Sequence, residues 1–133
     1  MKLNPTGLDH IVVRVEDMAR MRAFYQDVLG CSVERELAPN GLLQLRAGED
    51  LIDLVDVAKP LGQVGGDAPA RGAPNMDHFC LNFRPFDIAE VRAHLAEHKV
   101  EVIDEGERNG AGGEGWSLYI RDPEGNTVEL KAA

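Results

Sequence analysis

Two short stretches of the chain repeat each other: Leu8-Asp9-His10-Ile11-Val12-Val13-Arg14-Val15 near the start, and Met76-Asp77-His78-Phe79-Cys80-Leu81-Asn82-Phe83 past the middle. In each, an Asp-His pair leads into a run of mainly apolar residues that reads as a strand. Alternate side chains of a strand point to opposite faces. Ile11, Val13 and Val15 then share one face, as do Phe79, Leu81 and Phe83. His10 with Arg14, and His78 with Asn82, look the other way. A chain that carries the same strand twice, with a histidine at the same place on its polar face, is constrained to a fold built by duplication.

The rest of the chain follows the same order twice. After the first strand, Asp17 can cap a helix on which Met18, Met21, Phe24, Tyr25, Val28 and Leu29 recur at helical spacing, with Gly30 as its stop. Strands are expected over 31–37, 42–47 and 50–57, separated by Pro39-Asn40-Gly41 and Gly48-Glu49-Asp50. The segment 58–75 holds most of the Pro and Gly of its neighbourhood and reads as a linker. In the second half, Asp87 caps a helix bearing Ile88, Val91 and Leu95. Strands follow over 100–107, 116–121 and 126–131, with a Gly-rich loop at 109–115. The expectation is an α+β fold of two tandem βαβββ modules, 8–57 and 76–131, packed as a single domain over 1–133. One module alone buries too little to stand by itself.

A formal charge of −9 over 133 residues argues against nucleic acid as a partner, since phosphates are met by clustered Lys and Arg. No apolar run approaches the roughly 20 residues that span a bilayer, so no membrane partner is expected. The first residues lack the apolar core of a signal peptide, which places the chain in the cytoplasm. Cys31 and Cys80 are too few for a disulfide framework, and Cys80, inside an apolar strand, is expected to be a small buried thiol.

The ends of the modules repeat as well. Leu51-Ile52-Asp53-Leu54 closes the first and Thr127-Val128-Glu129-Leu130 the second, each placing one carboxylate in an apolar strand. Two imidazoles with one or two carboxylates suit a divalent transition ion: Fe(II), Mn(II), Ni(II), Co(II) or Zn(II). His10, His78 and Glu129 would form a three-ligand set with open positions for water or substrate, and Asp53 would complete four.

Together, Leu8-Asp9-His10-Ile11-Val12-Val13, Phe24-Tyr25-Gln26-Asp27-Val28-Leu29-Gly30 and Ile120-Arg121-Asp122-Pro123-Glu124-Gly125-Asn126-Thr127-Val128-Glu129-Leu130 resemble the vicinal oxygen chelate superfamily over essentially the whole chain. That group includes glyoxalase I, fosfomycin-resistance thiol transferases, extradiol dioxygenases and bleomycin-binding proteins. The resemblance implies half-barrel modules whose curled mixed sheet surrounds a central cavity and encloses one divalent ion (Ni, Co, Mn, Zn or Fe). It implies metal ligands at His10, Asp53, His78 and Glu129, with Asp53 replacing the second-ligand Glu of bacterial glyoxalase I. It also implies a substrate-binding role for Arg14, which matches a glutathione-carboxylate-binding arginine, although Val57 stands where that enzyme has an asparagine. The region from Glu107 to Asn126 is similar to a glyoxalase-like branch labelled virulence-associated.

The implied chemistry is electrophilic: the cation polarises two neighbouring oxygens of a small oxygenated metabolite while Glu129 acts as the catalytic proton shuttle. Asn82, on the face of His78, is the second candidate substrate-binding residue. A homodimer is expected, because a curled sheet with a concave site must be closed by a partner module. The competing readings are a metal-free small-molecule binding or resistance protein and an Fe(II)-dependent extradiol-type dioxygenase. His94-Leu95-Ala96-Glu97-His98 fits an inverted zinc-protease motif, but Leu95 lies on the core stripe and leaves His94 and Glu97 towards solvent. The glycines at 110–115 lack the Gly-Lys-Ser/Thr ending of a phosphate loop and read as a hairpin that could cover the site.

Overall fold

The computed structural model describes residues 1–70 and 72–133; Arg71, within the expected linker, lies outside them. The period-two pattern of the first strand is realised in β1 (His10–Val15), where Val13 and Val15 are fully buried and His10 and Val12 exposed. β1 pairs in parallel with β4 (Asp50–Asp56). β4 pairs antiparallel with β3 (Leu42–Ala47), and β3 with β2 (Ser32–Leu37), giving the order β1-β4-β3-β2. The second half repeats this with β5 (Phe79–Phe83), β6 (Asp104–Gly110), β7 (Gly113–Arg121) and β8 (Thr127–Ala132), in the order β5-β8-β7-β6. Each half is thus a mixed four-stranded sheet in an α+β fold. The two sheets are separate and open, not a closed barrel.

Both helices start where the sequence places them. Asp17 accepts from Arg20 N at 3.0 Å ahead of α1 (Met18–Ala23), and Asp87 accepts from Glu90 N at 3.0 Å ahead of α3 (Ile88–Glu97). The expected run to Leu29 does not stay α-helical: it widens into a π turn over Phe24–Val28, in which the adjacent Phe24 and Tyr25 are both buried. The linker contains a short helix, α2 (Pro60–Gln63), and an isolated Ala70–Ala73 bridge.

The apolar faces of both sheets and the helices share one core, which includes Val13, Tyr25, Leu45 and Leu54 from the first half and Leu95, Leu118, Ile120 and Leu130 from the second. Polar bonds tie the halves together. The Tyr25 hydroxyl donates to Asp122 at 2.9 Å, and the Glu124 carboxylate accepts from Glu16 N and Asp17 N at 2.8 and 2.9 Å. Asn75 exchanges hydrogen bonds with the Arg14 backbone and donates to Asn126.

Three sequence expectations are corrected. The strand expected over 100–107 begins only at Asp104 and runs to Gly110; Val100 and Val102 pack on the core without joining its ladder. The glycines expected as a loop are mostly ladder, because Gly110 pairs with Gly113 and leaves Ala111-Gly112 as a two-residue turn. Gly113 has φ 100°, a value that favours glycine. Cys80 is exposed rather than buried. Strand alternation explains this: with Phe79 and Leu81 facing the core, Cys80 must face outward.

Candidate functional site

The first half-site stands on the open face of the β1-β4-β3-β2 sheet. Register sets Asp53 beside Val12, so Asp53 and His10 share that face. The His10 ring nitrogen Nδ1 lies 2.6 Å from Asp9 Oδ1. This hydrogen bond, followed by the charge of Asp53, raises the His10 pKa above its usual value. Asp53 is 5% exposed; its Oδ2 accepts from Gln44 Nε2 at 3.2 Å. Its Oδ1 is buried and, among the described residues, without a hydrogen-bond partner. A buried carboxylate oxygen left without a donor is costly unless something cationic meets it.

The second half-site repeats the plan. His78 Nδ1 lies 2.5 Å from Asp77 Oδ2, while Nε2 lies 3.2 Å from Glu129 Oε2. Glu129 is buried, and its Oε1 accepts from Ser117 Oγ at 2.6 Å. Tyr119, opposite Glu129 in the ladder, meets the His78 ring edge-on at 5.6 Å and carries the Arg108 guanidinium over its own ring. Cys80 is the neighbour of Glu129 in register. Desolvation of its sulfur, then the Glu129 charge, pushes its thiol up to about 11. Cys80 is therefore a neutral thiol at physiological pH.

The four ligand candidates thus fall into two pairs, His10 with Asp53 and His78 with Glu129. Among the described residues of one chain, no three His, Cys, Asp or Glu side chains converge as a metal site. The donor chemistry of each pair nevertheless fits a divalent cation. An aspartate holds Nδ1 of each histidine, the arrangement that orients ligating imidazoles and turns Nε2 outward. The orphaned Asp53 oxygen fits the same role.

Arg14, expected at the substrate, has other partners here. Its guanidinium donates to the carbonyls of Gly62, Gly66 and Asp67 and so fastens the linker to β1. Asn82 is exposed on the open face of the second sheet. His94, discounted as a zinc ligand, bonds through Nε2 to the Val28 carbonyl at 2.8 Å and stacks beside His98. Sequence reasoning missed Gln44, Ser117 and Tyr119 and the orienting work of Asp9 and Asp77. The signal for Ser117 and Tyr119 was their period-two spacing in the strand preceding that of Glu129.

Comparisons with known proteins agree with the fold. The family model of the Glyoxalase/Bleomycin resistance protein/Dioxygenase superfamily matches residues 7–130. The chain is 30% identical over 137 residues to the mitochondrial methylmalonyl-CoA epimerase of Bos taurus, covering 95% of this chain and 74% of that protein. It superposes on the crystal structure of virulence protein STM3117 from Salmonella typhimurium with a TM-score of 0.72 and 28% identity, covering 99% and 98% of the two chains. Lactoylglutathione lyase from Agrobacterium tumefaciens superposes with a TM-score of 0.70 and 25% identity, covering 98% and 96%.

Proposed function

As the chain belongs to the Glyoxalase/Bleomycin resistance protein/Dioxygenase superfamily, we propose that it is a divalent-metal-dependent, glyoxalase-like lyase or isomerase acting on a small molecule with neighbouring oxygens. The observation that carries this reading is the duplicated Asp-His pair, each imidazole held at Nδ1 by its own aspartate and each accompanied by a strand carboxylate. His10, Asp53, His78 and Glu129 would hold the ion. The two half-sites lie on separate open sheets, so the reading joins the first half-site of one copy to the second half-site of another in a homodimer. Val12 and Leu37, 45% and 42% exposed on the first sheet, would be covered in the process.

A bound ion supplies Lewis acidity to two adjacent substrate oxygens. The chain's own residues then handle the proton. Glu129 is buried, with Ser117 fixing Oε1, so Oε2 is the oxygen placed to accept a proton from a substrate carbon and return it to the neighbouring one. Tyr119 and Arg108 wall the same face. Asn82 offers an amide to the substrate, and the Arg14 guanidinium can reach it only by releasing the linker carbonyls it now holds.

Calorimetric titration of metal-stripped protein with Ni(II), Co(II), Mn(II), Zn(II) and Fe(II) tests the reading. At least one ion should bind more tightly than about 100 µM, equivalent to roughly 5.5 kcal/mol. Glu129→Gln, which keeps shape while removing charge and basicity, should weaken it and suppress turnover. Binding of no ion would transfer the chain to the metal-free binding proteins of its superfamily.

A further inference from the structure

Lys131 is charged yet only 4% exposed. Lysines are rarely this buried without a partner; here it is the stem that is covered, because the ammonium nitrogen is not among the enclosed, unpartnered polar atoms of the described residues. Among the described residues, Lys131 enters no ion pair, and its ammonium has no side-chain hydrogen bond. Its position is set by the ladder. Lys131 lies in register with Asn82 on β5 and Ser117 on β7. Ser117 bonds Glu129, so Lys131 stands on the same open face as the proposed proton shuttle.

Two glycines make room for it. A Cβ on Gly110 would lie 2.9 Å from Lys131 Cε, and one on Gly115 would lie 2.7 Å from Lys131 Nζ. Neither glycine has a positive φ. The backbone conformation would accept other residues at both places; the lysine stem takes the space at Gly110, and at Gly115 the ammonium shares it with the Ala132 carbonyl, 3.2 Å from the same Cβ. The ammonium therefore lies across Gly115, towards the hairpin end of the face. Gly115 is four residues from Tyr119, the ladder partner of Glu129, or about 13 Å at the rise of a strand.

We propose that the Lys131 ammonium, lying across Gly115, anchors a carboxylate at the far end of the substrate, and that the substrate class is a small acid whose reacting oxygens lie at its other end. The inference rests on reading this face as the substrate site. A single ammonium matches a single carboxylate. The net charge of −9 repels anions from the molecule as a whole, so a shielded local cation is what an acidic substrate would need. Lys131 is then a specificity-determining residue, with Gly110 and Gly115 positioning it.

The test is titration calorimetry of purified protein, metal-free and metal-loaded after removal of excess ion. The probes are succinate, glutarate and adipate, each against the monocarboxylate of equal length. In the wild type, the best-fitting dicarboxylate should bind at least about tenfold more tightly than its monocarboxylate, the order of one charge-assisted bond. Lys131→Met should erase that preference. Gly110→Ala, whose Cβ would crowd only the Lys131 stem, should erase most of it while unfolding like the wild type. Lys131→Arg should retain part. No dicarboxylate preference in the wild type, or a preference that survives Lys131→Met, overturns the proposal. So does dissociation of the Lys131→Met dimer, which would assign the ammonium to a partner chain. Metal titration of the same samples reads the parent proposal separately: a Lys131-dependent preference in protein that binds no divalent ion would retain the anchor and remove the metal.

Discussion

Asp53 carries a buried oxygen with no donor among the described residues, and Gln44 is the single hydrogen bond to the other oxygen. In the metal-free chain such a group stabilises little and costs desolvation. Replacing it with an apolar residue of similar size, Asp53→Leu, should therefore raise the stability of the metal-free protein by about 1–2 kcal/mol, while weakening the divalent ion. The gain depends on pH through His10. Its folded pKa is raised, first by the Asp9 hydrogen bond and then by the Asp53 charge. The Asp53 part of that contribution is fully present below about pH 6.5, the ordinary imidazole value, and is lost as pH rises through the raised folded value. The stabilisation by Asp53→Leu should thus be larger in alkaline than in acidic buffer. Denaturant unfolding on both sides of neutrality checks it, and a destabilised variant at alkaline pH would contradict the idea that the carboxylate is held for a cation.

At the scale of elements, the joint between the halves is a small polar cluster. Asp122 accepts from the Tyr25 hydroxyl, from the backbone N–H groups of Glu124 and Asn126 and from the Asn126 amide. Tyr25→Phe removes one bond to a carboxyl and should cost about 1.5–3 kcal/mol. Asp122→Ala strands four donors and should cost more, both read by urea unfolding. Equal and negligible losses would mean that the apolar core alone joins the halves. How legible these elements were depended on how local their cause was. Strand parity placed His10, Asp53, His78 and Glu129 on their faces, because period two needs only neighbouring residues. It failed at Cys80 where the apolar run was allowed to outweigh that same parity. The late start of β6 is not legible, because Val100 and Val102 look like strand residues while serving the core. Arg14 was legible as a cation on the open face, but its linker partners, distant in sequence, were not. The burial of Lys131 was equally invisible, since it depends on two glycines across a hairpin.

The whole molecule presents two open sheets, each with a histidine beside a buried carboxylate, Asp53 or Glu129, and the central claim is that two copies complete each other's half-sites. Pairing of His10→Ala with His78→Ala chains tests it most directly. Each variant alone should bind the ion poorly at every site. In a mixed dimer, an arrangement across copies puts both substitutions into one site and leaves the other intact. Metal titration of a refolded equimolar mixture should then recover about a quarter of the wild-type tight sites, since half the dimers are mixed and each holds one whole site of two. Recovery of none would contradict the account.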